Sequence, residues 1–127
     1  MKHWEAALVL TGTPLEQAMK TLDEAGQRIV LIVDTQRRLL GTLTDGDVRR
    51  ALIRHLPMTI PVDKVMNTKP HVASPDWSRD RQLRVMEEKK ILQLPVVDSK
   101  QRVVGLESLY NVSSYKRYDN PVFLMAG

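Results

Sequence analysis

The chain contains no cysteine among its 127 residues. Disulfide scaffolds, thiolate metal sites and cysteine nucleophiles are therefore excluded, and the absence suits a reducing cytoplasm. Aromatic residues make up only 5% of the chain, with a single Phe, which leaves little material for the stacking platforms of single-strand nucleic-acid binders. Neither charge sign dominates, because 19 Lys and Arg against 15 Asp and Glu give a net charge of only +4. We expect no nucleic-acid partner, since such a footprint requires a concentrated basic stripe.

Long apolar runs are also missing. The longest, such as residues 29–33, are far shorter than the roughly 20 residues that a membrane-spanning helix requires. The amino terminus carries no signal-peptide hydrophobic region before Glu5. The three histidines are scattered, and no spacing of His, Asp or Glu resembles a metal site or a catalytic constellation. We predict a cytoplasmic protein with no membrane partner, no metal and no catalytic activity of its own.

Two similar apolar runs, each ending in aspartate, indicate an internal repeat. Asp34 and Asp98 end these runs, and the next glycine follows seven residues later in both cases, at Gly41 and Gly105. The offset of 64 residues between Asp34 and Asp98 continues without a gap over about 26 residues. A shared order of strand, turn, glycine, hydroxyl residue and Asp or Asn is hard to produce by chance. We interpret the pattern as a duplication.

Hydrophobic periodicity and turn residues predict an α+β fold in which each repeat runs β-α-β-β-α. One repeat of about 50 residues cannot cover both faces of its sheet, so we expect repeats at residues 6–56 and 62–115 to pack on each other. In the first, a helix runs from Pro14 to Gly26, strands occupy residues 29–33 and 39–44, and a helix at residues 47–53 turns Val48, Leu52 and Ala51 inward. In the second, a strand at residues 72–73 precedes a helix that begins at Ser74, strands at residues 92–97 and 102–107, and a helix at residues 108–114.

The turn from Thr44 to Asp47 joins a strand directly to a helix. One interpretation is a capping box, in which the side chains of Thr44 and Asp47 satisfy backbone groups at the helix start. The other is a ligand site, because helix-start amides attract phosphate and an aspartate can accept both hydroxyls of a ribose. Arg49 and Arg50 follow on the same helix, where they form either phosphate contacts or an ordinary solvated face.

These features in combination resemble a pair of CBS domains (cystathionine β-synthase domains), also called a Bateman module. The resemblance rests on the segments at residues 41–47, 65–67 and 94–98 and on the tandem arrangement, and it covers roughly residues 6–115. It implies that the repeats associate about a pseudo-twofold axis and that the clefts between them bind an adenine nucleotide such as AMP, ADP or ATP. The nucleotide would be a regulatory ligand, with no cofactor required. The family also implies homodimers that regulate an attached enzyme or transporter.

The resemblance further implies which residues contact the nucleotide. Each repeat would supply two residues near the base, one hydroxyl residue and one ribose-binding acid. Asn111 replaces that acid in the second repeat and lacks its charge, so we expect the first site to be the better one. The implied contacts are, in this order, Thr13, Ile29, Thr44 and Asp47 in the first repeat, and Ser74, Gln93, Ser108 and Asn111 in the second.

Residues 116–127 continue beyond the repeats as a polar connector and an apolar stretch. An unpartnered strand is an aggregation liability, so this stretch either docks on its own domain or a dimer mate, or begins a downstream catalytic domain. Residues 120–127 are similar to the opening strand of sugar-phosphate nucleotidyltransferases. We therefore expect the amino-terminal regulatory part of such an enzyme. The alternative is a structural dimerisation module with degenerate clefts.

Overall fold

The computed structural model describes residues 4–109, which form two small sheets and three α-helices. The predicted tail at residues 116–127 and most of the predicted helix at residues 108–114 lie outside this range. No helix within residues 4–109 has the length and apolarity needed to cross a bilayer. The elements are β1 (Leu8–Leu10), α1 (Leu15–Ala25), β2 (Val30–Val33), β3 (Leu39–Leu43), α2 (Asp45–Ile53), α3 (Arg79–Lys89), β4 (Gln93–Val97) and β5 (Val103–Ser108), with short 3₁₀ turns at Trp4–Ala7 and Val62–Lys64.

The two sheets repeat one topology. In the first repeat β1 pairs in parallel with β2, and β2 pairs antiparallel with β3. In the second repeat β4 pairs antiparallel with β5, and a single residue, Ala73, takes the place of β1 by forming a parallel bridge to Val96. The helices repeat as well, because α1 and α3 begin at Leu15 and Arg79, which are 64 residues apart. The predicted α+β fold of tandem repeats is confirmed.

Strand β2 is buried on both faces and joins two parts of the core. Val30 and Ile32 pack with residues of α1 and α2, including Leu15 and Val48. The intervening side chains point to the opposite face, as the period of a strand requires. There Leu31 and Val33 pack against Val97 and Val103 of the second repeat. One face of β2 therefore depends on the second repeat for its burial, which explains why the run is apolar throughout.

The hairpin turns of the two repeats contact each other. The Leu39 N–H donates to the Gln101 carbonyl and the Val103 N–H donates to the Arg37 carbonyl, each at 2.9 Å. These reciprocal bonds join equivalent parts of the two hairpins, as a pseudo-twofold arrangement requires. Gln101 and Arg37 both have positive φ, of 66° and 67°.

The aspartates that end the repeated apolar runs organise these turns. Asp34 accepts hydrogen bonds from the backbone N–H of Arg38 at 2.9 Å and from its Nε at 2.7 Å. Asp98 does the same with Arg102, at 2.9 Å for both bonds. These contacts together lower the pKa of Asp34 and of Asp98. The hydrogen bond from the backbone N–H of the arginine has the largest effect on the pKa in each turn. The repeated Asp is therefore a turn-forming residue.

Two details of the predicted helices are wrong. The second repeat's first helix begins after Ser78, whose side chain accepts from the Arg81 N–H at 3.1 Å. Ser74 lies in the preceding turn, where its carbonyl accepts from the Trp77 N–H at 3.1 Å. In α2 the side chain of Leu52 is 49% exposed, because Val48 and Ala51 occupy the buried face of this short helix.

The linker between the repeats, at residues 55–63, is bonded to the first repeat. The backbone N–H groups of Leu15 and Glu16 donate to the carbonyls of Ile60 and Met58 at 2.8 and 2.9 Å. The linker thus satisfies amides at the start of α1 that have no partner inside the helix. The Asp63 carboxylate also accepts from the Thr11 hydroxyl and the Gly12 N–H. Burial opposes ionisation of Asp63, but these bonds outweigh it and lower the pKa of this carboxyl.

Candidate functional site

A cavity of about 390 Å³ opens between the two repeats, within the range of small-molecule sites. The first repeat contributes the start of β2 and the junction of β3 with α2. The second contributes the segment at residues 90–95, and the stretch that follows the linker completes the wall. The lining residues are Arg28, Ile29, Thr42, Thr44, Asp45, Gly46, Asp47, Arg50, Asn67, Pro70, His71, Lys90, Ile91, Leu92, Gln93 and Pro95. We call this cavity the inter-repeat cleft.

The junction of β3 and α2 forms the polar floor of the cleft. The backbone N–H and the hydroxyl of Thr44 donate to Oδ2 of Asp47, at 2.9 and 3.1 Å. Nη2 of Arg50 donates to Oδ1 of Asp47 at 2.7 Å. The Thr44 side chain also accepts from the Asp47 backbone N–H, which completes the capping box. The same side chains face the cleft, so the two interpretations of this motif do not exclude each other.

Cationic side chains line the cleft from both repeats. Arg28 lies after α1 in the first repeat, and Lys90 ends α3 in the second. Both adopt the left-handed backbone conformation, with φ of 64° and 57°. Position 90 is equivalent to Gly26, which ends α1 with φ of 71°. A residue with a Cβ pays about 1 kcal/mol or more for this conformation, and such strain is often found at ligand clamps.

The cleft also has an apolar wall. Ile29 and Ile91 come from the two repeats and lie among the lining residues with Leu92. Ile29 is buried and belongs to the core between the sheets, so its position is held by packing. Leu92 is 52% exposed. An apolar surface beside a polar helix start suits a ligand with one planar apolar part and one charged part.

The cleft brings together half of the residues expected at a nucleotide site. Ile29, Thr44, Asp47, Arg50 and Gln93 line it, whereas Asn111 lies outside the described residues. The remaining four, Thr13, Arg49, Ser74 and Ser108, are not among the lining residues.

Local contacts explain some of these positions. The carbonyl of Thr13 accepts from the Val62 N–H at 2.7 Å, which places Thr13 against the linker. Arg49 lies on the exposed side of α2, as the solvated-face interpretation expected. Ser108 ends β5 opposite Gln93.

Sequence reasoning missed six polar lining residues, which are Arg28, Thr42, Asp45, Asn67, His71 and Lys90. Asn67 is held by a pair of backbone bonds with Thr42, at 2.8 and 3.0 Å. The repeat offset alone could have drawn attention to Lys90, because it stands where the first repeat has glycine. Within residues 4–109, no group of three His, Asp or Glu side chains is placed to hold a metal ion.

Comparisons with known proteins agree with this architecture. The CBS domain family matches residues 5–54 and residues 62–106. Arabinose 5-phosphate isomerase KdsD of Pseudomonas aeruginosa is 32% identical over 105 residues, covering 82% of this chain and 32% of that protein. Arabinose 5-phosphate isomerase GutQ of Escherichia coli K12 is 28% identical over 102 residues, or 80% of this chain and 32% of that protein. The chain thus spans about a third of the length of these curated relatives.

Solved structures share the fold. The CBS domain pair of protein MJ0100, in complex with 5′-methylthioadenosine and S-adenosyl-L-methionine, has a TM-score of 0.78 at 24% identity, covering 89% of each chain. The cytosolic domain of the Mg²⁺ channel MgtE, in complex with ATP, has a TM-score of 0.72 at 26% identity, covering 85% of this chain and 44% of that one. With both repeats matched by the family, the chain belongs to the CBS domain family as a tandem pair.

Proposed function

We propose that this CBS pair senses a ligand by binding an adenine nucleotide in the inter-repeat cleft, and so regulates an attached enzyme. The observation that carries the proposal is the meeting of a polar helix start, an apolar wall and cations from both repeats in one cavity of about 390 Å³. The related cytosolic domain of MgtE, which was solved with ATP, supports an adenine nucleotide as the ligand.

The proposed contacts follow from the chemistry of each wall. The Asp47 carboxylate accepts the two ribose hydroxyls, and the Thr44 hydroxyl and the amides at the start of α2 bind the first phosphate. The base lies against Ile29 and Ile91. Further phosphates extend toward the cationic side chains of Arg28 and Lys90, which line the same cleft.

Binding between two repeats provides a route to regulation. A ligand shifts an equilibrium only by the difference in its affinity for the two states. The cleft has walls from both repeats, so a change in their relative position alters the ligand contacts on both sides. The attached enzyme would respond to that change by linkage.

We further propose that the attached enzyme acts on a sugar phosphate. The similarity of residues 120–127 to the opening strand of sugar-phosphate nucleotidyltransferases favours nucleotidyl transfer. The arabinose 5-phosphate isomerases among the relatives favour an isomerase as the second candidate. Assays of the full-length natural protein for both reactions, with and without AMP, distinguish the two enzymes.

A structural dimerisation module is the second candidate function. The observation that favours it is the exposed apolar end of α2, where Leu52 and Ile53 are 49% and 66% exposed. A homodimer that covers this end is compatible with nucleotide sensing. The dimerisation function would replace the sensing function only if the clefts of the dimer bind no ligand.

The sensing function predicts a shift in thermal stability. We expect at least one of AMP, ADP, ATP and S-adenosylmethionine to raise the melting temperature of the chain, because a ligand that binds only the folded state stabilises it. At a concentration of 100 times Kd the gain is about 2.7 kcal/mol. Differential scanning fluorimetry with each ligand up to millimolar concentration measures it. If none of the four changes the melt, the clefts are degenerate and the dimerisation module is the better account.

A further inference from the structure

The Asp47 carboxylate is engaged at both of its oxygens. Oδ2 accepts two hydrogen bonds from Thr44, and Oδ1 accepts Nη2 of Arg50 at 2.7 Å. The Arg50 guanidinium also lies beside Gly46, where a Cβ would be 3.5 Å from its Nη1 atom. Arg50 thus covers the start of α2, and a ribose that approaches Oδ1 of Asp47 competes with it for this oxygen.

The pair between Arg50 and Asp47 is easily opened. The Arg50 side chain is 69% exposed, whereas that of Asp47 is only 11% exposed. Ion pairs with such an exposed partner contribute little, because water competes for the cation. The guanidinium can therefore leave Asp47, and the chemistry of the ligand decides whether it finds a new partner.

Adenosine and phosphorylated adenosines differ at this step. Adenosine displaces the guanidinium from Oδ1 of Asp47 but carries no anionic group that could bind it. A phosphate on the ribose presents oxygens that a planar guanidinium binds with two parallel hydrogen bonds. The Arg50 guanidinium already lies beside Gly46 in the first turn of α2, close to the amides that would receive the phosphate.

We propose that Arg50 is a specificity-determining residue that exchanges Asp47 for the phosphate of the ligand. The cleft then selects phosphorylated adenosines over adenosine and over S-adenosyl ligands, which carry no phosphate. Arg28 and Lys90 add positive charge to the same cleft, but Arg50 is the cation that occupies the ribose-binding carboxylate. This inference rests on the proposed function, because it assigns a ligand class to the same site.

Isothermal titration calorimetry with AMP and adenosine tests this exchange in the wild-type chain, in Arg50→Ala and in Arg54→Ala. We expect the wild-type chain to prefer AMP by about tenfold or more, which corresponds to about 1.4 kcal/mol. Arg50→Ala loses most of this preference, because AMP binds more weakly and adenosine binds as well as before or more tightly. Arg54→Ala removes the same charge from the end of the same helix, outside the cleft, and keeps the preference.

Two results separate this inference from the function on which it rests. If AMP binds and Arg50→Ala leaves the ratio of AMP to adenosine affinity unchanged, Arg50 is not the discriminator, and nucleotide sensing stands. An equal loss for both ligands also overturns the exchange, since it indicates that Arg50 only holds the helix start. If the wild-type chain binds neither ligand, the proposed function fails and the inference fails with it. Circular dichroism of each variant confirms that it is folded.

Discussion

Replacing Asp47 by alanine is expected to lower the affinity for AMP by about 100-fold or more. Hydrogen bonds to a charged group each contribute about 1.5–3 kcal/mol, and the ribose would lose two of them. Isothermal titration calorimetry measures the effect. No other single substitution discussed for this chain is expected to change binding as much.

The same substitution also removes part of the capping box, so a control for helix stability is needed. Loss of an N-terminal cap costs about 1 kcal/mol, and Asp47 accepts the Thr44 N–H at 2.9 Å. Ser78→Ala is the matched control, because it removes the N-terminal cap of α3. In the wild-type chain Oγ of Ser78 accepts the Arg81 N–H at 3.1 Å. We expect Ser78→Ala to lower stability and retain AMP binding. Wild-type affinity in Asp47→Ala would contradict the assignment of the ribose site.

Replacing Gly41 by alanine is expected to lower the free energy of unfolding by about 1–3 kcal/mol, the usual cost of overpacking. A Cβ at this position would lie 2.6 Å from Sδ of Met66 and 2.8 Å from the backbone carbonyl oxygen of Asn67. The Met66 side chain can move, but Asn67 is held by its two backbone bonds with Thr42. Urea denaturation measures the change. AMP binding should weaken as well, since Asn67 lines the cleft.

Gly105 offers a matched control from the second repeat, because it occupies the equivalent position in β5. A Cβ there would meet the nearest atom, Cβ of Val96, at 3.5 Å, an ordinary contact. Gly105→Ala should therefore be nearly neutral, or slightly stabilising because glycine in a strand costs about 0.5–1 kcal/mol. Equal losses in Gly41→Ala and Gly105→Ala would show that the close approach of Met66 and Asn67 to Gly41 does not matter.

Most of the fold that could be predicted from the sequence follows from the repeat offset of 64 residues. Its register, applied to Pro14, places the start of the second repeat's first helix at position 78, where the structure has the cap Ser78. The segment Ser-Pro-Asp at residues 74–76 favours Ser74 instead, because it is a strong local helix-start signal. The exposure of Leu52 has a related reason, since apolar spacing in a helix of nine residues does not decide which apolar residues reach the core.

The site could be predicted where it depends on one local motif. Thr44 and Asp47 are close in sequence and on one helix start, so the chain itself predicts their proximity. Arg28 and Lys90 could not be found from a local motif, because they come from different repeats and line one cleft only when the repeats pack. For Lys90 the only sequence signal is its equivalence to Gly26. The base contact of Thr13 stays a prediction, since the structure shows only that its carbonyl accepts from the Val62 N–H.

A nuclear magnetic resonance titration of the isotope-labelled chain with AMP tests nucleotide binding in the inter-repeat cleft residue by residue. We expect progressive, saturable shifts of the backbone amides of Ile29, Thr44, Asp47 and Gln93, which line this cleft. The amides of Thr13 and Arg54 should change little. Shifts confined to residues outside the cleft, or no shifts at millimolar AMP, would contradict the claim that this cleft binds an adenine nucleotide.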